Sequence, residues 1–287
     1  MKIGFIGAGK VGCSIGKYLT EHGVTVAGYV SRSRESADEA ATFTDTKAFD
    51  SLEKLIAVSD ILFITTPDDC IEAVWKKIKV MPIQEKIICH FSGSLSSVVF
   101  SGREQAGASG CSVHPMYAFS DKFTSFQKLN QVMFTMEGDE GALAAIKPLF
   151  EGMGNAVSVI SPESKVRYHA ASSMVSNMMI GLYQMSIDML TDCGFEEKQA
   201  RQLVEPLVRN NVENMLRTSP AEALTGPIER NDVLTVKKHL QVLDDREQAV
   251  YKNLGDVLVE LAGRKNPGRD YSVISENLGG KDNRHLV

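Results

Sequence analysis

Two groups of polar residues in the sequence could hold or move a proton during a reaction. The first is His114, which stands in the run His114-Pro115-Met116-Tyr117 directly after a predicted strand at 109–113. A histidine fixed beside a proline in a loop could shuttle protons or bind a substrate oxygen. The alternative is a histidine that only ties the loop together through hydrogen bonds to the backbone.

The second group lies on a predicted helix over residues 162–193. Four of its polar residues recur every four positions and therefore share one face of the helix: Lys165, His169, Ser173 and Asn177. The residues between them are mostly apolar, and polar groups on such a helix are costly to bury unless they line a wet cleft or an interface. We expect a substrate cleft, with Lys165 as proton donor or carboxylate anchor and His169 as an alternative acid. A purely structural polar network is the alternative.

A glycine-rich turn separates the first predicted strand, at 3–6, from the first predicted helix, at 12–22. Its sequence is Gly7-Ala8-Gly9-Lys10-Val11-Gly12. In this position the pattern is typical of a dinucleotide-binding turn, because Gly7 permits the tight turn and Gly9 lets a pyrophosphate approach the backbone. The free N–H groups at the start of the helix would then face the anion. A glycine turn with a purely structural role is the alternative.

The end of the second predicted strand, at 24–30, indicates which dinucleotide is bound. An acidic residue at this position normally takes the ribose 2′-hydroxyl of NAD. The strand is followed instead by Ser31, Arg32, Ser33 and Arg34, whose hydroxyl and guanidinium groups suit a 2′-phosphate. We therefore predict NADP rather than NAD as the cofactor. The alternative is a solvated pair of arginines at the start of a helix.

Two more predicted strands end in residues that could contact a cofactor. Thr65, Thr66 and Pro67 follow the strand at 61–64, and Ser92 and Gly93 follow the strand at 86–91. Ligands of open α/β sheets bind at the carboxyl ends of the strands, so we expect these residues in the binding site. A capping role is the alternative for Ser92 and Gly93.

The elements that must position these residues follow from the pattern of apolar runs. Up to residue 160, short apolar runs bounded by Gly, Pro, Ser or Asp alternate with helix-like segments. This alternation predicts an α/β fold with a Rossmann-like, doubly wound parallel sheet. From 162 the pattern is helical and predicts an all-α domain. We therefore predict a dinucleotide-binding domain at 1–161, a helical substrate and dimerisation domain at 162–265, and an arm or tail at 266–287.

Composition excludes several classes of function. The chain has 287 residues, a formal net charge of −5 and a pI near 5.7, so it lacks the basic surface of a nucleic-acid binder. Its five cysteines form no CxxC pair, which argues against a zinc site and for reduced thiols in the cytoplasm. The uncharged stretch at 170–187 contains serine, asparagine and glutamine, so we interpret it as a buried helix rather than a membrane span.

Several motifs occur in one order across most of the chain: KIGFIGAGKVG, TTPDD, HFSGSLSS, VHPMYAF, YHAASSMVSN and LTGPIERND. Together they resemble a family of bacterial proteins that pair a Rossmann-like NADP-binding domain with a helical domain of unknown function. They are also similar to the wider group of pyrroline-5-carboxylate reductase, deazaflavin-dependent NADP reductase, ketopantoate reductase and 6-phosphogluconate dehydrogenase.

The resemblance implies that NADP binds at Gly7–Val11 and at Ser31–Ser33. It also implies a homodimer formed through the helical domain, with the active site in a cleft between the domains. In the β-hydroxyacid dehydrogenases of the wider group, a helix carries a catalytic lysine with an asparagine four residues later. Lys165 matches that lysine, but His169 stands where the asparagine would be.

These observations predict an NADP-dependent oxidoreductase that acts on a small, carboxylated ketone or imine. Hydride transfer requires an aligned nicotinamide and a proton donor or acceptor at the substrate heteroatom, and His114, Lys165, His169 and Asn177 are the candidates. An imine reductase similar to pyrroline-5-carboxylate reductase is the alternative among enzymes. A non-catalytic, NADPH-binding regulator or scaffold is the alternative from another class.

Overall fold

The computed structural model describes residues 1–280 and divides the chain into two compact units, Met1–Met178 and a second that begins at Met179. The last residues of the predicted arm or tail, 281–287, lie outside the described residues. The sheet ends at Val159, close to residue 161, while the first unit continues through a further helical segment. The division into domains at residue 161 stays a prediction.

The first unit contains a seven-stranded sheet with the order β2-β1-β3-β4-β5-β6-β7. The strands are β1 Ile3–Ile6, β2 Val26–Val30, β3 Ile61–Ile64, β4 Ile87–His90, β5 Ser109–Pro115, β6 Phe134–Gly138 and β7 Val157–Val159. Every neighbouring pair is parallel except β5 and β6. The prediction of a Rossmann-like α/β fold is confirmed, with this one antiparallel pair as a correction to a wholly parallel sheet.

The antiparallel pair follows a connection without an α-helix. The chain from Pro115 to Phe134 contains a 3-10 segment, Ser125–Gln131, and β6 then runs against β5. The connection from β4 to its parallel neighbour β5 also contains a 3-10 segment, Ser97–Val99, in place of an α-helix, so the type of connection alone does not set the strand direction. A helix then connects β6 to β7, which are parallel.

Helices cover both faces of the sheet, as the near-continuous apolar strands predict. They are α1 Lys10–Glu21, α2 Arg34–Thr44, α3 Leu52–Val58, α4 Asp68–Ile78 and α5 Glu140–Gly152. One buried core contains Phe5, Leu19 and Phe150, and the other contains Trp75 and Phe100. With an apolar core on each face, the strand ends are held firmly and their terminal residues meet at one edge.

The last part of the first unit is helical but does not keep one helical period. Helix α6 covers Lys165–Ser173, and a π-helical segment follows at Met174–Met178. A π turn contains more residues than an α turn, so side chains beyond it no longer follow the four-residue spacing of α6.

The second unit consists of helices: α7 Met179–Asp192, α8 Glu197–Arg217, α9 Pro220–Ala223, α10 Val233–Val242, α11 Asp245–Lys265 and α12 Ser272–Leu278. Its buried core is formed by Ile228, Val236, Ile274 and Leu278. This finding confirms the helical character predicted for the C-terminal half. Among residues 1–280, no helix is long and apolar enough to cross a membrane.

Helix α12 is a correction to the predicted arm or tail. Ile274 and Leu278 are spaced one helical turn apart, and both are buried against α11 and its neighbours. The segment is rich in Gly and charge, which concealed this pair of apolar residues in the sequence. Residues 272–278 therefore belong to the core of the second unit.

Candidate functional site

The glycine turn lies at the carboxyl end of β1, as predicted. Gly7 has a φ of +116°, and a side chain on it would lie 2.8 Å from the Thr65 carbonyl oxygen at the end of β3. At Gly9 an added Cβ would have no neighbour within 4 Å among residues 1–280. The N-cap Gly9 offers no side-chain acceptor, so the first N–H groups of α1 are uncapped there. This arrangement suits an anionic group at the turn formed by Gly7, Ala8, Gly9, Lys10 and Val11.

A cavity of about 560 Å³ extends from this turn along the end of β2. Its lining includes the predicted Ser31, Arg32 and Ser33, together with Lys77 from α4. The part of its wall formed by described residues contains no carboxylate. Two cationic side chains without an acid in the lining favour a phosphate over a ribose 2′-hydroxyl.

Arg34 does not belong to this lining. Its guanidinium forms an ion pair with Asp38, one helical turn later on α2, at 2.9 Å. The cavity therefore includes Arg32 of the two arginines, and a contact of Arg34 with a 2′-phosphate stays a prediction. The Ser33 hydroxyl accepts a hydrogen bond from the backbone N–H of Ser36 at 3.2 Å and caps α2.

A second cavity of about 390 Å³ lies on the other side of the turn. It shares Gly9, Thr65, Thr66 and Pro67 with the first cavity, so the two form one groove along the strand ends. Its lining also includes Lys10, Val11, Asp68, Phe91, Ser92 and Phe119. The hydroxyl of Thr66 is buried and has no hydrogen-bond partner in the described part of the chain. An unpartnered polar group in such a wall is suited to a ligand.

Ser92 connects this cavity to a cluster of polar side chains. The ammonium of Lys165, which is 0% exposed, donates a hydrogen bond to the Ser92 carbonyl oxygen at 2.9 Å. The Ser92 hydroxyl donates to Asp68 at 2.6 Å. The structure therefore joins Lys165 to the carboxyl ends of β3 and β4.

His114 and His169 belong to the same cluster. Their ring centres are 6.1 Å apart, and both rings lie against Gly93. A side chain on Gly93 would lie 2.8 Å from His114 Nε2, so only glycine fits between the rings. Gly93 is absent from the linings of both cavities, and its surroundings are these two histidines rather than the predicted cofactor groove.

Tyr168 is a member of the cluster that the sequence analysis missed. Its hydroxyl lies 2.8 Å from His114 Nδ1, and its ring centre lies 6.0 Å from the ammonium of Lys165. The tyrosine directly precedes His169 on the helix, which was the available signal. Lys77 and Phe119 were also missed, because only the fold brings them to the groove.

Asn177 lies away from this cluster. It falls within the π-helical segment, is exposed, and accepts a hydrogen bond from the Ser176 hydroxyl at 3.0 Å. Lys165 and His169 are one turn apart on α6, but a series with four-residue spacing drifts by about 40° around an α-helix at each step. Asn177 is three such steps from Lys165 and lies exposed. Nothing in its surroundings supports the predicted catalytic role.

Burial changes the protonation of the cluster. It lowers the pKa of Lys165 from 10.5 to about 8, while the negative charges of Glu137 and Asp68 oppose the change. Burial also lowers the pKa of His114 to about 4, with a further contribution from the positive charge of Lys165. Near neutral pH the lysine therefore carries a proton and His114 does not.

Two family models match the chain in succession. Residues 2–91 match the model described as NADP oxidoreductase coenzyme F420-dependent, and residues 132–257 match the domain of unknown function DUF2520. The resemblance is confirmed. Asp68 lies in the NADP oxidoreductase segment and Lys165 in the DUF2520 segment, so the polar cluster combines residues of both. No curated protein matches the chain.

Solved structures share this fold at low sequence identity. A protein from Thermotoga maritima is 24% identical with a TM-score of 0.74, over 92% of this chain and 99% of that chain. An imine reductase from Myxococcus stipitatus in complex with NADP+ is 15% identical with a TM-score of 0.60, over 97% and 99%. A pyrroline-5-carboxylate reductase from Coxiella burnetii is 15% identical with a TM-score of 0.58, over 97% and 98%.

A buried histidine behind the cluster makes stability depend on pH. His90 is 0% exposed, and burial, followed by the charge of Lys165, lowers its pKa from 6.5 to about 4. The unfolded chain binds this proton at a higher pH than the folded chain does. We expect the free energy of unfolding to fall by about 3 kcal/mol from this group as the pH drops from about 6.5 to about 4.

The variant His90→Gln tests this expectation. Urea unfolding between pH 4 and pH 8 should show a smaller loss of stability at acid pH than in the wild type, with the contribution of His114 remaining. His22→Gln removes an exposed histidine instead and should keep the wild-type slope. Equal slopes in His90→Gln and the wild type would contradict the assignment.

Proposed function

We propose that the chain is an NADP-dependent oxidoreductase that transfers a hydride between NADP(H) and a small carboxylated ketone or imine. One observation carries the proposal. Ser92 lines the groove that begins at the glycine turn, and its carbonyl oxygen accepts a hydrogen bond from Lys165. The groove for a dinucleotide and a buried proton donor therefore adjoin each other within the first unit.

The residues of the groove fit NADP. The turn at Gly7–Val11 would hold the pyrophosphate, and Arg32 with Lys77 would hold the 2′-phosphate. Thr66, Phe91 and Phe119 would border the nicotinamide side, where the Thr66 hydroxyl lacks a partner among the described residues. The bound cofactor would supply the hydride or accept it. The NADP+ in the Myxococcus stipitatus imine reductase supports the same choice of cofactor.

Lys165 is the proposed proton donor at the substrate heteroatom. Its ammonium has three N–H groups, and Ser92 is its hydrogen-bond partner in the described part of the chain. The other N–H groups have no acceptor among the described residues, and we assign them to a substrate oxygen, nitrogen or carboxylate. Since burial sets the pKa of Lys165 at about 8, the group can both give and regain a proton near neutral pH.

His114 and Tyr168 form the second polar contact proposed for the substrate. His114 is neutral near pH 7, so the hydrogen bond between its Nδ1 and the Tyr168 hydroxyl fixes the ring without adding a positive charge beside Lys165. His169 lies against Gly93, as His114 does. We assign these side chains to orienting the substrate, and His169 is the alternative acid.

The predicted preference for NADPH over NADH can be tested with one variant and a matched control. Arg32→Ala should weaken NADPH binding by at least about tenfold and leave NADH binding within about twofold, because it removes a charge-assisted contact to the 2′-phosphate. Arg34→Ala should change neither affinity, since Arg34 pairs with Asp38. Fluorescence titration with both nucleotides measures the result. Equal wild-type affinities for NADPH and NADH would contradict the assignment of the 2′-phosphate site.

The role of Lys165 is tested by Lys165→Met with 2-oxo acids and cyclic imine carboxylates as substrates. We expect turnover to fall by about 10²–10⁴-fold while NADPH affinity stays unchanged, because only the proton donor is removed. In the wild type, reduction should decline above about pH 8, where Lys165 loses its proton. Lys147→Met removes an exposed lysine of the same unit and should keep full activity. Unchanged turnover in Lys165→Met would exclude it as the donor.

Two alternatives to this function can be distinguished from it. The imine reductase and the pyrroline-5-carboxylate reductase among the similar structures favour an imine over a ketone. A non-catalytic regulator would retain the glycine turn and its cavities but need no proton donor. NADPH binding by a wild-type protein that turns over none of the substrates above would favour the regulator.

We also propose that the chain forms a homodimer through its helical unit. Helix α8 spans 21 residues but buries only Ala200, while Leu203 and Leu207, one turn apart, are 51% and 61% exposed. Apolar side chains exposed in this pattern favour a protein interface, and a second copy is the simplest partner.

Mass measurement in solution tests the homodimer. Sedimentation equilibrium at micromolar concentration should give twice the 31.4 kDa of one chain. The double variant Leu203→Glu/Leu207→Glu should sediment as a monomer, because it would bury charges in the interface. Lys198→Glu changes an exposed position of the same helix and should leave the dimer intact. A monomeric wild type would refute the proposal.

A further inference from the structure

A row of buried polar side chains crosses the sheet next to the polar cluster. His90 on β4 is paired in register with Ser112 on β5, and Ser112 is paired with Glu137 on β6. Residues paired in this way point to the same face of a sheet. All three are 0% exposed. Such a row in an apolar layer is costly unless its members meet other polar groups.

Glu137 is the acidic member of this row. Its carboxyl accepts hydrogen bonds from the backbone N–H of Ser97 at 2.5 Å and from the Ser97 hydroxyl at 3.0 Å. Two donors aimed at the carboxyl oxygens suit the ionised form. No lysine or arginine of the described residues lies within 4.0 Å of it, so its negative charge has no direct ion-pair partner there.

Lys165 is a buried cation in the same region, and no acid of residues 1–280 forms a direct ion pair with it. Its ammonium donates to the carbonyl of Ser92, two residues after His90, so it lies where the strand that begins this row ends. The titratable groups around it are Glu137 on β6, Asp68 at the start of α4, His90 on β4, His114 on β5, and Tyr168 and His169 on α6. Only Glu137 and Asp68 are acids. Asp68 is exposed, so water screens its charge, whereas the charge of Glu137 acts through the protein interior.

The two buried histidines do not add positive charge beside Lys165. Burial lowers the pKa of His90 and of His114 to about 4, so neither is positively charged near neutral pH. The backbone N–H of Ser92 donates to His90 Nδ1 at 3.2 Å, which leaves the ring proton on Nε2. Glu137 is therefore the buried acid and Lys165 the buried base of this cluster, and neither histidine supplies a competing positive charge.

We propose that Glu137 is a positioning residue that keeps Lys165 protonated: its buried carboxylate is the counter-charge of the lysine, and it touches neither substrate nor cofactor. Without that charge, the buried ammonium would release its proton more readily and would be a neutral amine over much of the physiological pH range. The consequence for the reaction rests on the function proposed above, but the charge coupling itself does not.

The direct test follows the protonation of Lys165 by NMR, without cofactor or substrate. Protein labelled with ¹³C at the lysine Cε is titrated from pH 6 to pH 11, and Lys165→Met identifies the signal. In Glu137→Gln the midpoint of Lys165 should fall by at least about one pH unit, because a nearby opposite charge is lost. Glu140→Gln removes an exposed acid three residues later and should leave the midpoint within about 0.2 pH units.

The variant Glu137→Asp separates charge from shape. It keeps the negative charge with a shorter side chain, so the midpoint of Lys165 should stay closer to the wild type than in Glu137→Gln. A midpoint in Glu137→Gln that equals the wild-type value would overturn the proposal. A lowered midpoint together with an absence of turnover in the wild type would support the coupling and reject the proposed function, so the two failures are distinguishable.

A double-mutant cycle keeps the proposal testable if Glu137→Gln folds poorly. When two buried charges compensate each other, removing either one leaves the other unbalanced, and removing both costs less than the sum. Urea unfolding of Lys165→Met, Glu137→Gln and the double variant gives the coupling. If only the double variant folds, that rescue itself demonstrates the coupling. Strict additivity would overturn the proposal.

Discussion

The site depends on the burial of one positive charge. An ammonium taken out of water is stable only where acceptors and opposite charge replace its hydration. Lys165 finds one acceptor in the Ser92 carbonyl, at the end of β4, and stands in the field of Glu137 and Asp68. The neutral histidines beside it follow from the same burial, because a second and third positive charge in that space would raise the energy of the folded chain.

The topology of the sheet explains how these groups come together. In a doubly wound sheet the parallel strands end at one edge, so the residues that follow β1, β3 and β4 are neighbours in space although the chain separates them widely. Strand β6, which with β7 runs against the other five strands, then adds Glu137 at the register position opposite Ser112. The antiparallel pairing of β5 and β6 therefore has a use, since it places an acid on the face that already carries His90.

Local pattern was enough to predict the features that depend on neighbours in sequence. The glycine turn, the strand ends at Thr65 and Ser92, and the position of Arg32 are of this kind. Arg34 pairs with Asp38, one helical turn later, and is absent from the lining of the cavity that includes Arg32. Asn177 was expected beside Lys165, but positions with four-residue spacing drift around a helix, and Asn177 is exposed. An acidic residue in helical spacing and a drifting polar face are both weak signals in a single sequence.

Other members of the site could be found only from the fold. Lys77, Tyr168 and Phe119 are ordinary residues in their local sequences, and the packing of α4, α6 and the loop after β5 brings them to the candidate site. Glu137 is the clearest case, because a lone acid in an apolar strand first suggests an exposed edge. In the fold, β6 runs in the reverse direction inside the sheet, between β5 and β7. Ser97 donates to the carboxyl of Glu137, which is therefore buried in the interior.

The depressed pKa of Lys165 also shows how stability and chemistry are balanced. A lysine whose pKa falls from 10.5 to about 8 on folding destabilises the folded chain by about 3 kcal/mol at neutral pH, and this penalty disappears as the pH rises through the same interval. A core built for stability alone would use an apolar residue at this position. A lysine that can exchange its proton near neutral pH is what the proposed reaction requires, so the penalty favours a functional role for Lys165 over a purely structural one.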